Sequence, residues 1–250
     1  MLMQVGRDAS VLLGSAPRGL CRIDEHGWLG LSGEAGADLN MAAVLRSAPA
    51  SDLDRYVDEV ESHGLNAILM VDDDAPHLVE AARARSLTPA GQAPVMVWHE
   101  ASLPDRTGSH VVRQAAESDM HAINSAIAEA FSLDEVAVHR AMPPSIVSAG
   151  ADVWLVDAGE TVAGSGTFIR SGNHVGIYCM ATRPSFQRQG IGGALLDTAM
   201  NYYLDHGVTT FTLEATAAGV PLYEHTGFET AAQPSVFVIG TSTQFPTEGI

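Results

Sequence analysis

The chain has 250 residues, 46% of them hydrophobic, with 13 Lys and Arg against 30 Asp and Glu and a formal charge of −17. That apolar content excludes a disordered chain, and so few cations argue against nucleic-acid binding, where phosphate contacts need clustered Lys and Arg. No apolar run approaches the ~20 residues of a membrane span, and the N-terminus makes a poor secretory signal, so a cytoplasmic protein is expected.

The acidity reads as a solvated surface, or as an attraction for a cationic substrate such as an amine. Cys21 and Cys179 match no metal-ligand spacing, so no metal is expected, and they suit a reducing compartment without a disulfide framework.

In residues 1–50, Val11 to Leu13, Gly19 to Ile23, Trp28 to Leu31 and Leu39 to Leu45 read as short strands. Ser51, with Asp54 in capping-box spacing, predicts a helix whose apolar face is Leu53, Tyr56, Val57 and Val60, ended by Gly64. Leu65 to Val71 is a buried strand, Asp72 to Asp74 a turn, and Pro76 opens a helix striped by Leu78, Val79, Ala82 and Leu87. Pro94 to Trp98 closes this part as a strand. Residues 1–100 therefore form one domain, and 101–109 a polar linker.

A second domain spans 110–240, with a tail at 241–250. Val111-Val112 begins a strand. Ser118 caps a helix carrying Met120, Ile123, Ile127 and Phe131, and Ser132 with Glu135 caps another that Pro143-Pro144 stops. Val153 to Val156, Thr161 to Ile169 and Val175 to Thr182 form an antiparallel meander. A helix follows with Ile191, Leu195, Thr198 and Tyr202 in line and Ala194 and Ala199 beside them, and Gly207 stops it. Val208 to Ala215 is a strand, Pro221 to His225 a short helix, and Ser235 to Ile239 the last strand.

The two domains echo each other. Helix, Gly64, strand, Pro76-led helix and PVMVW repeat as helix, Gly207, strand, Pro221-led helix and PSVFV. The fold class is α/β (α+β): a mixed, mostly antiparallel central sheet flanked by helices. The echo suggests two copies of one fold, the alternative being two unrelated α/β units. Only the second copy has a glycine-rich turn before its helix.

That turn is Gln187-Arg188-Gln189-Gly190-Ile191-Gly192-Gly193. A loop feeding a helix leaves the first-turn amides without intrahelical partners, and glycines let an anion approach them closely. The helix dipole adds ~0.3–1 kcal/mol, and Arg188 adds a full charge. A Walker loop needs Lys-Ser or Lys-Thr after its last glycine, but Gly193-Ala194 stands there. The dinucleotide pattern fails too, because the spacing is Gly-x-Gly-Gly after antiparallel strands.

The run Met180 to Gly192 resembles the acetyl-CoA loop of the GNAT superfamily of N-acetyltransferases, with Gln187, Gly190 and Gly192 on its signature. A Tyr shortly before Gly-Phe, a second landmark, is matched by Tyr223, Gly227 and Phe228. The resemblance covers roughly the last 130 residues and implies a GNAT fold; residues 1–100 resemble a degenerate copy. It implies that Met180, Ala181 and Thr182 pair with the pantetheine arm of acetyl-CoA. It implies too that the amides of Arg188, Gln189, Gly190, Ile191, Gly192 and Gly193 hold the pyrophosphate. Tyr223 matches the usual general acid. Thr216 stands where many members have Asn and could donate to the pantetheine or thioester. Glu214 is a candidate general base or a surface carboxylate, with Tyr178 and His174 as weaker candidates.

The implied activity is acetyl transfer from acetyl-CoA, as co-substrate, to a primary amine by direct attack. The acceptor is a small molecule or a peptide, and the protein a monomer or homodimer. The alternatives are a non-catalytic acyl-CoA-binding regulatory module and an acyl-CoA hydrolase.

Overall fold

The computed structural model describes residues 2–99, 103 and 110–240. The expected tail, and the linker apart from Leu103, lie outside these residues. The chain divides into two compact units. The first is Met1–Val95 with Ala215–Ala218 and Thr230–Ile250, and the second is Met96–Glu214 with Gly219–Glu229.

The first unit opens with α1 (Leu2–Leu12), where strand was expected at Val11 to Leu13. Leu2, Val5, Ala9 and Leu12 are buried at helical spacing. Gly6, which looks like a breaker, is required: a Cβ there would stand 2.4 Å from Trp28 Cγ. The strands β1 (Leu20–Asp24), β2 (Gly27–Leu31) and β3 (Asn40–Val44) follow as an antiparallel meander. Next come α2 (Ala50–Ser62), β4 (Ala67–Val71), α3 (Pro76–Ala84) and β5 (Thr88–Gln92). Leu53, Tyr56, Val57 and Val60 of α2 are buried, as their spacing predicts. The cap differs: Pro49 is the N-cap and Ser51 lies inside the helix. Strand β5 escapes the sequence pattern because Pro89 and Gly91 interrupt it; at the edge of its sheet Pro is tolerated.

The second unit's elements are β6 (Val95–His99), β7 (Val112–Gln114), α4 (Met120–Phe131), α5 (Glu135–Ala141), β8 (Ala151–Ala158), β9 (Thr161–Ser171) and β10 (His174–Thr182). Then come α6 (Ile191–Asp205), β11 (Thr210–Glu214), α7 (Val220–Thr226) and β12 (Glu229–Ala232). The strand after these, β13 (Ser235–Ile239), belongs to the first unit. The N-cap of α4 is Asp119, not Ser118. Ser132 instead ends α4 in a left-handed conformation, and Asp134 caps α5 by accepting from Ala137 N at 2.7 Å. On α6 the inward stripe is Leu195, Leu196, Ala199, Met200 and Tyr203; Thr198 and Tyr202 face solvent.

One sheet has the order β1-β2-β3-β4-β13-β5 and the other β12-β6-β11-β10-β9-β8-β7. Both are mixed and mostly antiparallel, with one parallel pair described in each, β3 with β4 and β10 with β11. The order β1-β2-β3-β4 matches β8-β9-β10-β11, so the two sheets repeat one topology. The final strands are exchanged: β13, last in the chain, fills the slot between β4 and β5, while β6 fills the slot between β11 and β12. Phe237 and Ile239 of β13 accordingly belong to the core built by Leu29, Val44, Leu53, Leu69 and Leu78.

The parallel pairs differ in one respect. In the first sheet β3 and β4 stay paired to their ends, from Met41↔Ile68 to Val44↔Val71, and Asp72 N donates to Val44 O at 3.0 Å beyond them. In the second, β10 pairs with β11 only from His174↔Thr210 to Ile177↔Leu213, and then runs on through Thr182.

Candidate functional site

The site lies where β10 leaves β11. Among the described residues the pairing of β10 with β11 ends at Ile177, and from Cys179 to Thr182 the β11 side of β10 presents backbone donors and acceptors as a sheet edge does. A bulge bends β10 at the same point. Tyr178 pairs with Thr167 and Ala181 with Ser165, so Cys179 and Met180 both stand opposite Gly166. Cys179 has φ 50, the left-handed region that a bulge imposes.

Two glycines on β9 make the bend possible. A Cβ on Gly166 would meet Met180 Sδ at 2.4 Å, and one on Gly164 would meet Ala181 O and Ile191 Cγ2 at 2.8 Å. Ile191, 2% exposed, thus anchors the start of α6 in the space that Gly164 leaves.

Past Thr182 the chain is tied to β9. Arg183 N donates to Ala163 O at 2.9 Å and Arg183 Nε to Val162 O at 2.8 Å, while its guanidinium pairs with Glu129 of α4. The Gln187 side chain donates to Thr182 O at 3.3 Å and that of Gln189 to Ser185 O at 3.2 Å. Both glutamines therefore brace the loop with their side chains. Arg188 (φ 63) and Gly190 (φ 84) take left-handed conformations that turn the chain into α6. Ala194 N, bonded to Gly190 O at 3.0 Å, is the first amide of the helix with a backbone acceptor. Among the described residues the amides from Arg188 to Gly193 have none. The amides expected to form a cradle thus lie in one continuous stretch, with Arg188 exposed beside them.

Helix α7 packs on this start: Leu222 Cδ2 would be 3.0 Å from a Cβ on Gly192. The next residue, Tyr223, is 7% exposed, and its ring meets Phe228 edge-on at 5.9 Å. Burial pushes the pKa of its hydroxyl up to about 12.

Glu214 follows Leu213, the last β11 residue paired with β10, and so stands at the mouth of the splay. Its Oε1 is buried without a hydrogen-bond partner among the described residues, and burial pushes the carboxyl up to about 7. His174 is engaged elsewhere, its Nε2 2.7 Å from Thr212 Oγ1, and burial lowers its pKa. Thr216 lies exposed in the segment Ala215–Ala218, which belongs to the first unit, so it is not brought together with the other residues within the second.

Sequence reasoning missed the bulge, the two β9 glycines and His110, whose Nε2 lies 2.7 Å from Gln189 O. Alternating glycines in a strand, Gly164-x-Gly166, were the available signal. Burial also holds the Cys179 thiol up at about 11, against any nucleophilic role. Among the described residues no group of three or more His, Cys, Asp or Glu could hold a metal ion, and no helix is long and apolar enough to cross a membrane.

Residues 112–242 match the family described as "Acetyltransferase (GNAT) domain". No curated protein matches the chain. Among solved structures it is similar to a GCN5-related N-acetyltransferase from Kribbella flavida, with 14% identity, TM-score 0.67, and 97% of this chain and 96% of that one covered. A GCN5-related N-acetyltransferase from Sphaerobacter thermophilus is similar at 13% identity and TM-score 0.61, covering 88% of this chain and 82% of that one. A tandem GNAT protein from the clavulanic acid biosynthesis pathway is similar at 14% identity and TM-score 0.60, covering 95% of this chain and 88% of that one. At such identities these likenesses concern the fold, and they extend over both halves of the chain.

Proposed function

Because the chain belongs to the GNAT acetyltransferase family, we propose that its second unit transfers the acetyl group of acetyl-CoA to a primary amine by direct attack. The observation that carries this reading is the departure of β10 from β11 after Ile177 and Leu213, leading into a loop whose amides have no backbone acceptor among the described residues. The free edge of Met180, Ala181 and Thr182 suits the amides of a pantetheine arm, which can add to it as a strand would. The amides from Arg188 to Gly193 suit a pyrophosphate, as do the absent Cβ atoms and the exposed Arg188 guanidinium.

Glu214 is the base. An amine reaches the enzyme as an ammonium ion and must lose a proton before its lone pair can attack. A carboxyl held at about 7 accepts that proton far better than an ordinary carboxylate does. The neutral nitrogen then bonds to the thioester carbonyl carbon. As the C–S bond breaks, the electron pair leaves on sulfur, the nitrogen gives up its second proton to solvent, and Glu214 returns its own to solvent.

Tyr223 serves the leaving sulfur. Its phenol, at about 12, is a weaker acid than a thiol of ordinary pKa about 8.5, so full proton transfer to the thiolate runs uphill. Its role is to donate a hydrogen bond to the charge developing on sulfur, while the proton that completes the thiol comes from solvent. The acceptor class is a small-molecule or peptide amine.

Calorimetric titration with acetyl-CoA tests the donor, and a panel of primary amines with free-thiol detection tests the transfer. Saturable binding that Gly190→Asp abolishes, with amine-dependent thiol release, is expected. Binding that survives Gly190→Asp overturns the cradle. Tight binding without thiol release for any amine favours the acyl-CoA-binding module instead.

A further inference from the structure

We propose that His110 is a positioning residue for the glycine loop, holding the peptide plane between Gln189 and Gly190 so that the Gly190 N–H faces the bound anion. The inference rests on the reading of that loop as a pyrophosphate cradle. It starts from one contact: His110 Nε2 lies 2.7 Å from Gln189 O. In a trans peptide the C=O of one residue and the N–H of the next point in opposite directions within one plane. A donor that fixes the Gln189 carbonyl therefore fixes the Gly190 N–H the other way.

The plane needs such a latch because glycine does not resist its rotation. Gly190 has φ 84 and ψ 2, and a residue without Cβ moves between backbone regions at little steric cost. Rotation would turn the Gln189 carbonyl, the negative end of the dipole, toward the cradle and remove one amide from it. The neighbouring amides have no acceptor among the described residues that would hold the plane instead. The Gln189 side chain is tied to Ser185 O at 3.2 Å, which orients the side chain but leaves its carbonyl to His110. His110 is also the one described group within 4 Å of the space a Gly190 Cβ would occupy, at 3.9 Å. The bond needs the imidazole proton on Nε2, and both the neutral Nε2–H tautomer and the imidazolium supply it.

The test compares two ligands on three proteins: wild type, His110→Phe, which keeps a ring but loses the donor, and His110→Gln, which keeps an N–H. The ligands are CoA and pantetheine, which lacks the pyrophosphate. Kd is measured for each by calorimetry or ligand-observed NMR. For His110→Phe we expect CoA binding about tenfold weaker and pantetheine binding unchanged. His110→Gln should stay within about threefold of wild type, as one neutral hydrogen bond is replaced by another. If His110→Phe binds CoA as wild type does, or weakens both ligands equally, the latch is wrong. Should His110→Phe fail to fold, His110→Ala is judged by the same two ratios. A wild type that binds CoA no better than pantetheine brings down the cradle reading itself, which is a separate result.

Discussion

Gly166 and Met180 share one space: a Cβ on the glycine would stand 2.4 Å from the methionine sulfur. Gly166 is the residue opposite the bulge, so its missing side chain lets β10 bend away at the place where β11 has already stopped pairing with it. The splay is therefore written partly in β9, a strand that contributes nothing to the chemistry.

Gly166→Ala should disturb the donor groove before anything else. The Met180 thioether is flexible and can swing aside, but Phe168 Cε2 at 3.2 Å closes the other side. Overpacking of this kind costs about 1–3 kcal/mol. A lower Tm with weaker CoA binding is expected, and Met180→Ala in the same chain should recover the Tm. A Gly166→Ala protein with unchanged Tm and CoA affinity would show that Met180 does not fill this space.

Tyr223→Phe removes a hydroxyl and keeps the ring that packs on Phe228. Loss of one hydrogen bond to a developing charge lowers kcat by about ten- to a hundredfold. The Kd for CoA should not move, because the hydroxyl acts on the leaving sulfur. Stopped-flow turnover beside calorimetry separates the two, and an unaltered kcat removes Tyr223 from the mechanism.

Glu214 gives the pH dependence its sign. Its carboxyl, raised by burial to about 7, is protonated below that value and cannot accept a proton from the amine. The rate kcat/KM should rise through about pH 7 and level off above it, and Glu214→Gln should lose this limb. Stability runs the opposite way. The folded state binds this proton more tightly than the unfolded chain, so stability falls as pH climbs from the ordinary carboxyl range through about 7. Glu214→Gln should therefore raise Tm at pH 8 and leave it nearly unchanged at pH 4, as thermal melts at both pH values would report. An equal shift at both would mean that the carboxyl is not raised.

The glycine loop was legible because its conformation requires its residues. Gly190 takes a left-handed backbone that a side chain would strain, and the amides after it open a helix, so sequence and geometry carry the same message. The copy number was legible from the echoed order of elements. Helix α1 was not, since Gly6 breaks the pattern in the sequence while packing under Trp28 in the fold. On α6 the line was legible only in part: Ile191, Leu195 and Ala199 are buried as expected, but Thr198 and Tyr202 face solvent and Leu196, Met200 and Tyr203 complete the inward face, because apolar residues of this helix fall on more than one side. The exchange of β6 and β13 could not be read at all. PVMVW and PSVFV have the same pattern of apolar residues, which says that a strand is buried and not which sheet buries it.

That exchange can be tested at Phe237. It is 3% exposed, lies near the C-terminus, and pairs with Leu69 of β4 and Pro89 of β5. Its ring belongs to the core of Leu53, Val57, Leu69 and Leu78 in the first unit. Truncating a buried Phe costs about 3–5 kcal/mol through lost transfer energy and the cavity left behind. Phe237→Ala should therefore strip hydrogen-exchange protection from Ala67 to Val71, more than 160 residues earlier in the chain, sooner than from Thr210 to Glu214. The nearer strand in sequence is the one expected to stay protected. Protection lost first from β11 would mean that β13 closes the second sheet.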